Sequence, residues 1–344
     1  MAEAVFASQR RGRLRAVVIS LVGFGLRVSL VFSPRPTCMA VRRVFAKSAE
    51  QRAAEQLAMA PTDVSAFIDE RYGPHPDELV DVYVPGEAVR NGGALPLLVW
   101  THGGAFVGGS KDELSGYLRM LCDRGFVVAA VRYSLAPEEK YPTSVRQLTQ
   151  ALGYLCANAE RFHADGQRIV LVGDSAGSQI SAQLAATIVN PAYATQLGVS
   201  PTVTPGQIKG AGLFCGVYDL TTLDTSGPFG GMLHAVGWAL SGTRRYREDD
   251  FFLGTMSVPN HINPQFPATF ITAGNADPLL SQSQSFAKAL AVHDVDVETL
   301  FYPQDYVPAL GHEFQFELTT PEGRDATDRL VTFCLRVTRQ PEHS

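Results

Sequence analysis

Four short runs hold residue types that do chemistry together. The first is Gly173-Asp-Ser175-Ala-Gly177, which directly follows the apolar run Ile169–Val172. A serine with glycine two residues before and two after, set between a strand and a helix, has the pattern of an activated nucleophile. The glycines are needed because a side chain at 173 or 177 would collide with neighbouring backbone in so tight a turn. The turn lifts the Ser175 hydroxyl clear of the strand. It also aims the N-terminus of the next helix at any oxyanion formed there.

The second run is His102-Gly-Gly-Ala-Phe106, at the end of an earlier apolar run. Small residues let backbone N–H groups approach a reacting carbonyl. Gly103, Gly104 and Ala105, with Ala176 from the serine turn, are the expected oxyanion donors. Each such donor is worth roughly 2.7–4 kcal/mol of barrier.

A serine nucleophile needs a base, and the base needs an acid to orient it. In the chain order Ser, Asp, His, both follow position 175. His312 lies in Ala309-Leu-Gly-His-Glu-Phe314, between the last expected strand and the last expected helix. His234 and His261 fall in an irregular segment, His293 at a helix end and His343 in the tail. For the acid, Asp277 lies in Gly274-Asn-Ala-Asp-Pro278, just past an expected strand. Asp219 reads as the cap at the entry to the irregular segment, and Asp305 as a solvated turn residue. Phe106, Asp174, Trp238 and Phe251 are the expected pocket residues.

These runs must be held by strands and helices that alternate. Leu79–Val84 alternates in hydropathy and ends at Pro85, as a strand does. Leu97–Trp100, Phe126–Val131, Arg168–Val172, Gly210–Cys215, Ala268–Thr272 and Val297–Phe301 read as further strands, several apolar enough to be buried on both faces. Helices are expected over 111–123, 143–162, 176–189, 281–293 and 323–338. This alternation predicts an α/β fold with a mostly parallel sheet covered on both faces. Residues 38–72 show helical spacing, and one or two short helices are expected there. Residues 221–262 interrupt the rhythm and read as an insertion over the C-terminal edge of the sheet.

Composition excludes other classes. The chain has 344 residues, 45% apolar and 18% charged, with a formal net charge of −5. This is a globular chain with no basic field for nucleic acid. Five widely spaced cysteines fit free thiols rather than a disulfide framework, and no Cys/His spacing points to a metal.

Residues 1–49 carry nine Lys or Arg and a single acid, Glu3. Val17–Phe32 is apolar but interrupted by Arg27, which makes it a marginal membrane span. A signal peptide, a signal anchor, and a helix packed on a soluble body all fit it. Cytoplasmic, exported and membrane-associated locations therefore stay open, as does the oligomeric state. The expected division is a leader at 1–36, N-terminal cap elements at 37–77 and a catalytic domain at 78–344.

Together with Tyr133-Ser-Leu-Ala-Pro-Glu138, these motifs resemble the bacterial hormone-sensitive-lipase-like carboxylesterases of the α/β-hydrolase superfamily. The resemblance runs from about 78 to 338. It implies an α/β-hydrolase fold of about eight strands with a helical cap. It also implies hydrolysis of carboxylic esters without metal or cofactor, a small-molecule ester being the partner; Phe229, Met232, Leu233, Trp238, Phe251 and Phe252, too apolar for a free loop, add the expectation of a short- to medium-chain preference. Two positions depart from the family pattern: Ala105 replaces a third glycine, and Ser134 replaces an arginine. Hydrolysis of an amide, a carbamate or an acylated carbohydrate is the nearest alternative. A non-catalytic scaffold at a membrane is a more distant one, since it would not need Ser175, Asp277 and His312 together.

Overall fold

A computed structural model describes residues 32–227 and 229–339. Most of the basic, apolar leader, and His343, lie outside the described residues. No helix among those described is long and apolar enough to cross a membrane.

Eight strands form one sheet: β1 (Val64–Arg71), β2 (Leu79–Pro85), β3 (Leu95–Thr101), β4 (Val127–Val131), β5 (Ala164–Asp174), β6 (Ile208–Phe214), β7 (Ala268–Ala273) and β8 (Val297–Phe301). Their order is β1-β2-β4-β3-β5-β6-β7-β8. The β1–β2 and β2–β4 pairs are antiparallel and the rest are parallel. Val99 sits beside Ala129 on one side and Leu171 on the other.

The central strands are apolar on both faces because helices cover both. Ten helices are described: α1 (Arg35–Met59), α2 (Gly86–Asn91), α3 (Ser115–Cys122), α4 (Thr143–Ala157), α5 (Ala176–Val189), α6 (Pro191–Leu197), α7 (Gly230–Ser241), α8 (Asp250–Met256), α9 (Leu280–Val292) and α10 (Pro321–Val337). Successive residues of β3 feed different cores. Leu97 and Val99 pack with residues of α4, α5 and α9, while Leu98 and Trp100 pack with residues of α3 and α10. This is the period-two alternation of a strand buried from both sides.

Two expectations need correction. The segment 38–72 is not helical throughout: α1 is one long helix, and Val64–Arg71 is the edge strand β1. Its residues are mostly exposed, and its register shifts between Phe67 and Glu70, so the chain shows no clean alternation there. Helix α4 also ends at Ala157 rather than 162.

The insertion holds α7 and α8, between β6 and β7. Helix α1 packs against α3 and α7, so the N-terminal helix and the insertion meet over the sheet's C-terminal edge. The Cys38 thiol of α1 points at the Ala235 carbonyl of α7, at 3.8 Å.

Candidate active site

Ser175 stands at the turn between β5 and α5 with φ 51° and ψ −118°, a conformation strained for any residue with a Cβ. Such strain costs about 1–3 kcal/mol and persists only where the surroundings enforce it. They do so here. A Cβ on Gly173 would lie 2.6 Å from the Gly177 carbonyl group, and one on Gly177 would lie 2.0 Å from the Thr101 oxygen.

Two loops from neighbouring strand ends complete the constellation. Asp277 follows β7 and His312 follows β8. His312 Nε2 lies 2.9 Å from Ser175 Oγ, and His312 Nδ1 lies 2.9 Å from Asp277 Oδ2. The Leu279 N–H donates to Asp277 Oδ1 and fixes the carboxylate. With Nδ1–H donating to Asp277, Nε2 is left to accept the serine proton. Burial opposes a charge on His312, while the neighbouring Cys215 sulfur and the Asp277 carboxylate together favour one and hold the imidazole above its ordinary range.

The oxyanion loop follows β3. Gly104 has φ 110°, Ala105 φ 53° and Phe106 φ 62°. A Cβ on Gly104 would lie 2.2 Å from the Gly108 oxygen, so glycine is required there. Ala105 adopts the left-handed conformation that a third glycine would take freely. The Ala176 N–H is the first of α5 and has no intrahelical acceptor.

Gly103 departs from expectation. Its N–H donates to Asp174 Oδ2 at 2.8 Å and is already spent on holding the loop. The candidate oxyanion donors are therefore narrowed to Gly104, Ala105 and Ala176. Asp174 also accepts from Trp100 Nε1 at 2.8 Å, so its carboxylate anchors the loop, and the residue lines the cavity above Ser175 as well. His102 is buried, stacks on Tyr133 and is pushed down to about 4 by burial, which keeps it neutral.

Residues 98–314 match the family described as the alpha/beta hydrolase fold, well over half of the chain. The chain belongs to the α/β-hydrolase family. Its motifs place it with the hormone-sensitive-lipase-like members. It is similar to esterase LipQ of Mycobacterium tuberculosis, 25% identical over 254 residues; the match covers 72% of this chain but only 57% of that relative. Among solved structures, esterase B of Lactobacillus rhamnosis superposes with a TM-score of 0.76 at 22% identity, covering 89% of this chain and 96% of the other. The Pyrobaculum calidifontis esterase superposes at 0.69 with 25% identity, covering 88% and 94%.

In this α/β-hydrolase a cavity of about 800 Å³ opens above Ser175. Phe106 lines it, and α7 presents Met232, Leu233, Val236 and Leu240 to it. Trp238 and Phe251 do not line it. Trp238 lies about 200° around α7 from Val236 and faces Arg244. Phe251 sits in the first turn of α8 with 52% of its surface exposed. Phe252 is buried against Tyr141 and Tyr246.

The rejected candidates fall where the sequence put them. Asp219 caps the turn at Leu220–Thr222, Asp305 is exposed, and His293 caps α9. His261 stacks on Tyr193 at 3.7 Å. Ser134 replaces the family's arginine with a neutral network, in which Gln147 accepts the Ser134 N–H and donates to its hydroxyl. All five cysteines are free.

Cys215 lies outside the motifs that the sequence offers. It follows β6 with φ 43°, and its sulfur lies with the Asp277 and His312 ligand atoms inside a 4.8 Å group. These are metal-binding types, yet Nδ1 faces Asp277 and Nε2 faces Ser175, the geometry of a proton relay. Burial pushes the thiol up, so it stays protonated at neutral pH. The one sequence signal was its position at the end of a strand.

Proposed function

We propose that this chain is a serine carboxylesterase acting on short- to medium-chain esters through an acyl-enzyme. The observation that carries the reading is the unbroken line from Asp277 through His312 to Ser175, with both contacts at 2.9 Å, at the floor of an 800 Å³ cavity. The esterase names of the similar proteins support it.

Ser175 Oγ attacks the ester carbonyl while His312 Nε2 takes its proton. Asp277 keeps the imidazole oriented and stabilises its charged form. The oxyanion gathers the N–H groups of Gly104, Ala105 and Ala176. These are fixed before the substrate arrives, so no reorganisation is needed as charge develops. His312 then gives its proton to the leaving alcohol. Water, activated by the same imidazole, hydrolyses the acyl-enzyme. In this reading α1 and residues 221–262 form the cap, and α7 supplies the apolar wall that selects chain length.

The test is turnover of p-nitrophenyl esters of increasing chain length, with a fluorophosphonate label located by mass spectrometry. The label is expected on Ser175. Ser175→Ala is expected to lose the label and to lower kcat by about 10³-fold or more with the fold intact. Near-normal turnover by Ser175→Ala would sink the mechanism.

A further inference from the structure

The cavity wall is chemically divided. Around α7 it is mainly apolar, with Asp224 and Arg247, one charge of each sign, as the exceptions. Where α1 meets the loop carrying His312 it is charged, with Arg52, Glu113, Glu313 and Glu317. Arg52 Nη1 donates to Glu313 Oε2 at 3.1 Å, and its guanidinium lies 4.8 Å above the Phe316 ring. That cation and that carboxylate neutralise each other.

Glu113 is left over. It is half-buried and forms no ion pair among the described residues. Burial pushes its carboxyl above the ordinary range, against the pull of Arg52. Glu317, exposed at the same end, adds a further negative charge. This end of the reaction cavity is therefore net negative and lacks one cation.

Its position relates it to one side of the ester. The proton that frees the alcohol comes from His312 Nε2, and Glu313 is the next residue in the chain. Glu113 follows the oxyanion loop by way of Gly109 and Ser110, which also line the cavity. A group held between Glu113 and Glu313 thus shares the cavity with Ser175 and His312.

We propose that the esters this site prefers carry a positive charge, an amine or a quaternary ammonium, on the alcohol side, held against Glu113. The Arg52–Glu313 pair stiffens that wall without consuming the free carboxylate. The proposal rests on the ester-hydrolase reading and names its substrate class.

The test compares two esters of one acyl group and equal shape: a choline ester and its uncharged 3,3-dimethylbutyl isostere. An ester of an anionic alcohol and p-nitrophenyl butyrate serve as third and fourth substrates. The expected result is a kcat/KM at least tenfold higher for the choline ester, with the gap narrowing as salt screens the carboxylate. Glu113→Gln should bring the ratio of the two isosteres close to one, read on protein whose Ser175 still takes a fluorophosphonate. Equal rates for the two isosteres in the wild type overturn the proposal. So does a ratio unmoved by Glu113→Gln. So does preference for the anionic ester, which would assign the wall to Arg52, whose Nε is buried without an acceptor. Absence of both Ser175 labelling and p-nitrophenyl butyrate turnover would instead overturn the hydrolase reading, and this proposal with it.

Discussion

Asp174 Oδ2 accepts the Gly103 N–H at 2.8 Å, so the residue just before the nucleophile ties down the loop that supplies the oxyanion donors. The other carboxylate oxygen takes the Trp100 indole N–H at 2.8 Å. The serine turn and the oxyanion loop are thereby one rigid unit. Burial pushes the Asp174 carboxyl up and Glu313 adds to the rise, while its two N–H donors and Arg52 favour the carboxylate.

Asp174→Asn tests that unit. The amide can accept one of the two N–H groups but turns its own NH2 toward the other. A buried donor left unpaired costs about 1–3 kcal/mol. The expected outcome is a lower urea midpoint together with a fall in kcat, since Gly104 and Ala105 lose their anchor. Unchanged kcat in the folded variant would show that the loop is held without Asp174.

The pH profile follows from His312. The imidazole must be neutral to accept the serine proton, so kcat/KM falls as pH drops through its pKa. Cys215 and Asp277 raise that pKa, which places the acid limb above the ordinary value near 6.5. Asp277→Asn should move the limb downward and lower kcat by on the order of 10³–10⁴. If Asp219→Asn or Asp305→Asn did this instead, the orienting acid would be misassigned.

The oxyanion loop separates two neighbouring positions. Gly104→Ala would drive a Cβ to 2.2 Å from the Gly108 oxygen, so activity should be largely lost. Ala105→Gly should keep activity. It relieves about 1 kcal/mol of left-handed strain but loosens the unfolded chain by a similar amount. Denaturant melts and p-nitrophenyl butyrate turnover of both variants check this.

The cap predicts a face-specific effect on α7. Leu233→Trp should shift preference toward shorter acyl chains, because position 233 lines the cavity. Trp238→Ala should leave the preference unchanged, because that ring faces away from the cavity. The ratio of kcat/KM for butyrate and octanoate esters reads both.

Much of the site was legible because its constraints are local. Gly173 and Gly177 are demanded by a five-residue turn. The apolar runs of β3, β4 and β5 announce strands buried on both faces. Asp277 and His312 stand just past strand ends, where a parallel sheet gathers side chains of distant sequence.

The rest depended on contacts that the local pattern does not encode. An edge strand with mostly exposed residues and a register shift carries no period of two, so the residues of β1 do not announce a strand. Gly103 and Gly104 are identical in type, and only the approach of Asp174 across the sheet decides that one anchors and the other is free to donate. Trp238 and Val236 are both apolar residues of one helix, and only the packing of α7 on α1 decides which of them faces the substrate. Residue types and spacing fixed which groups could react. Tertiary structure decided which N–H groups remain unspent and which side chains face the cavity, because those depend on the partner each group meets across the fold.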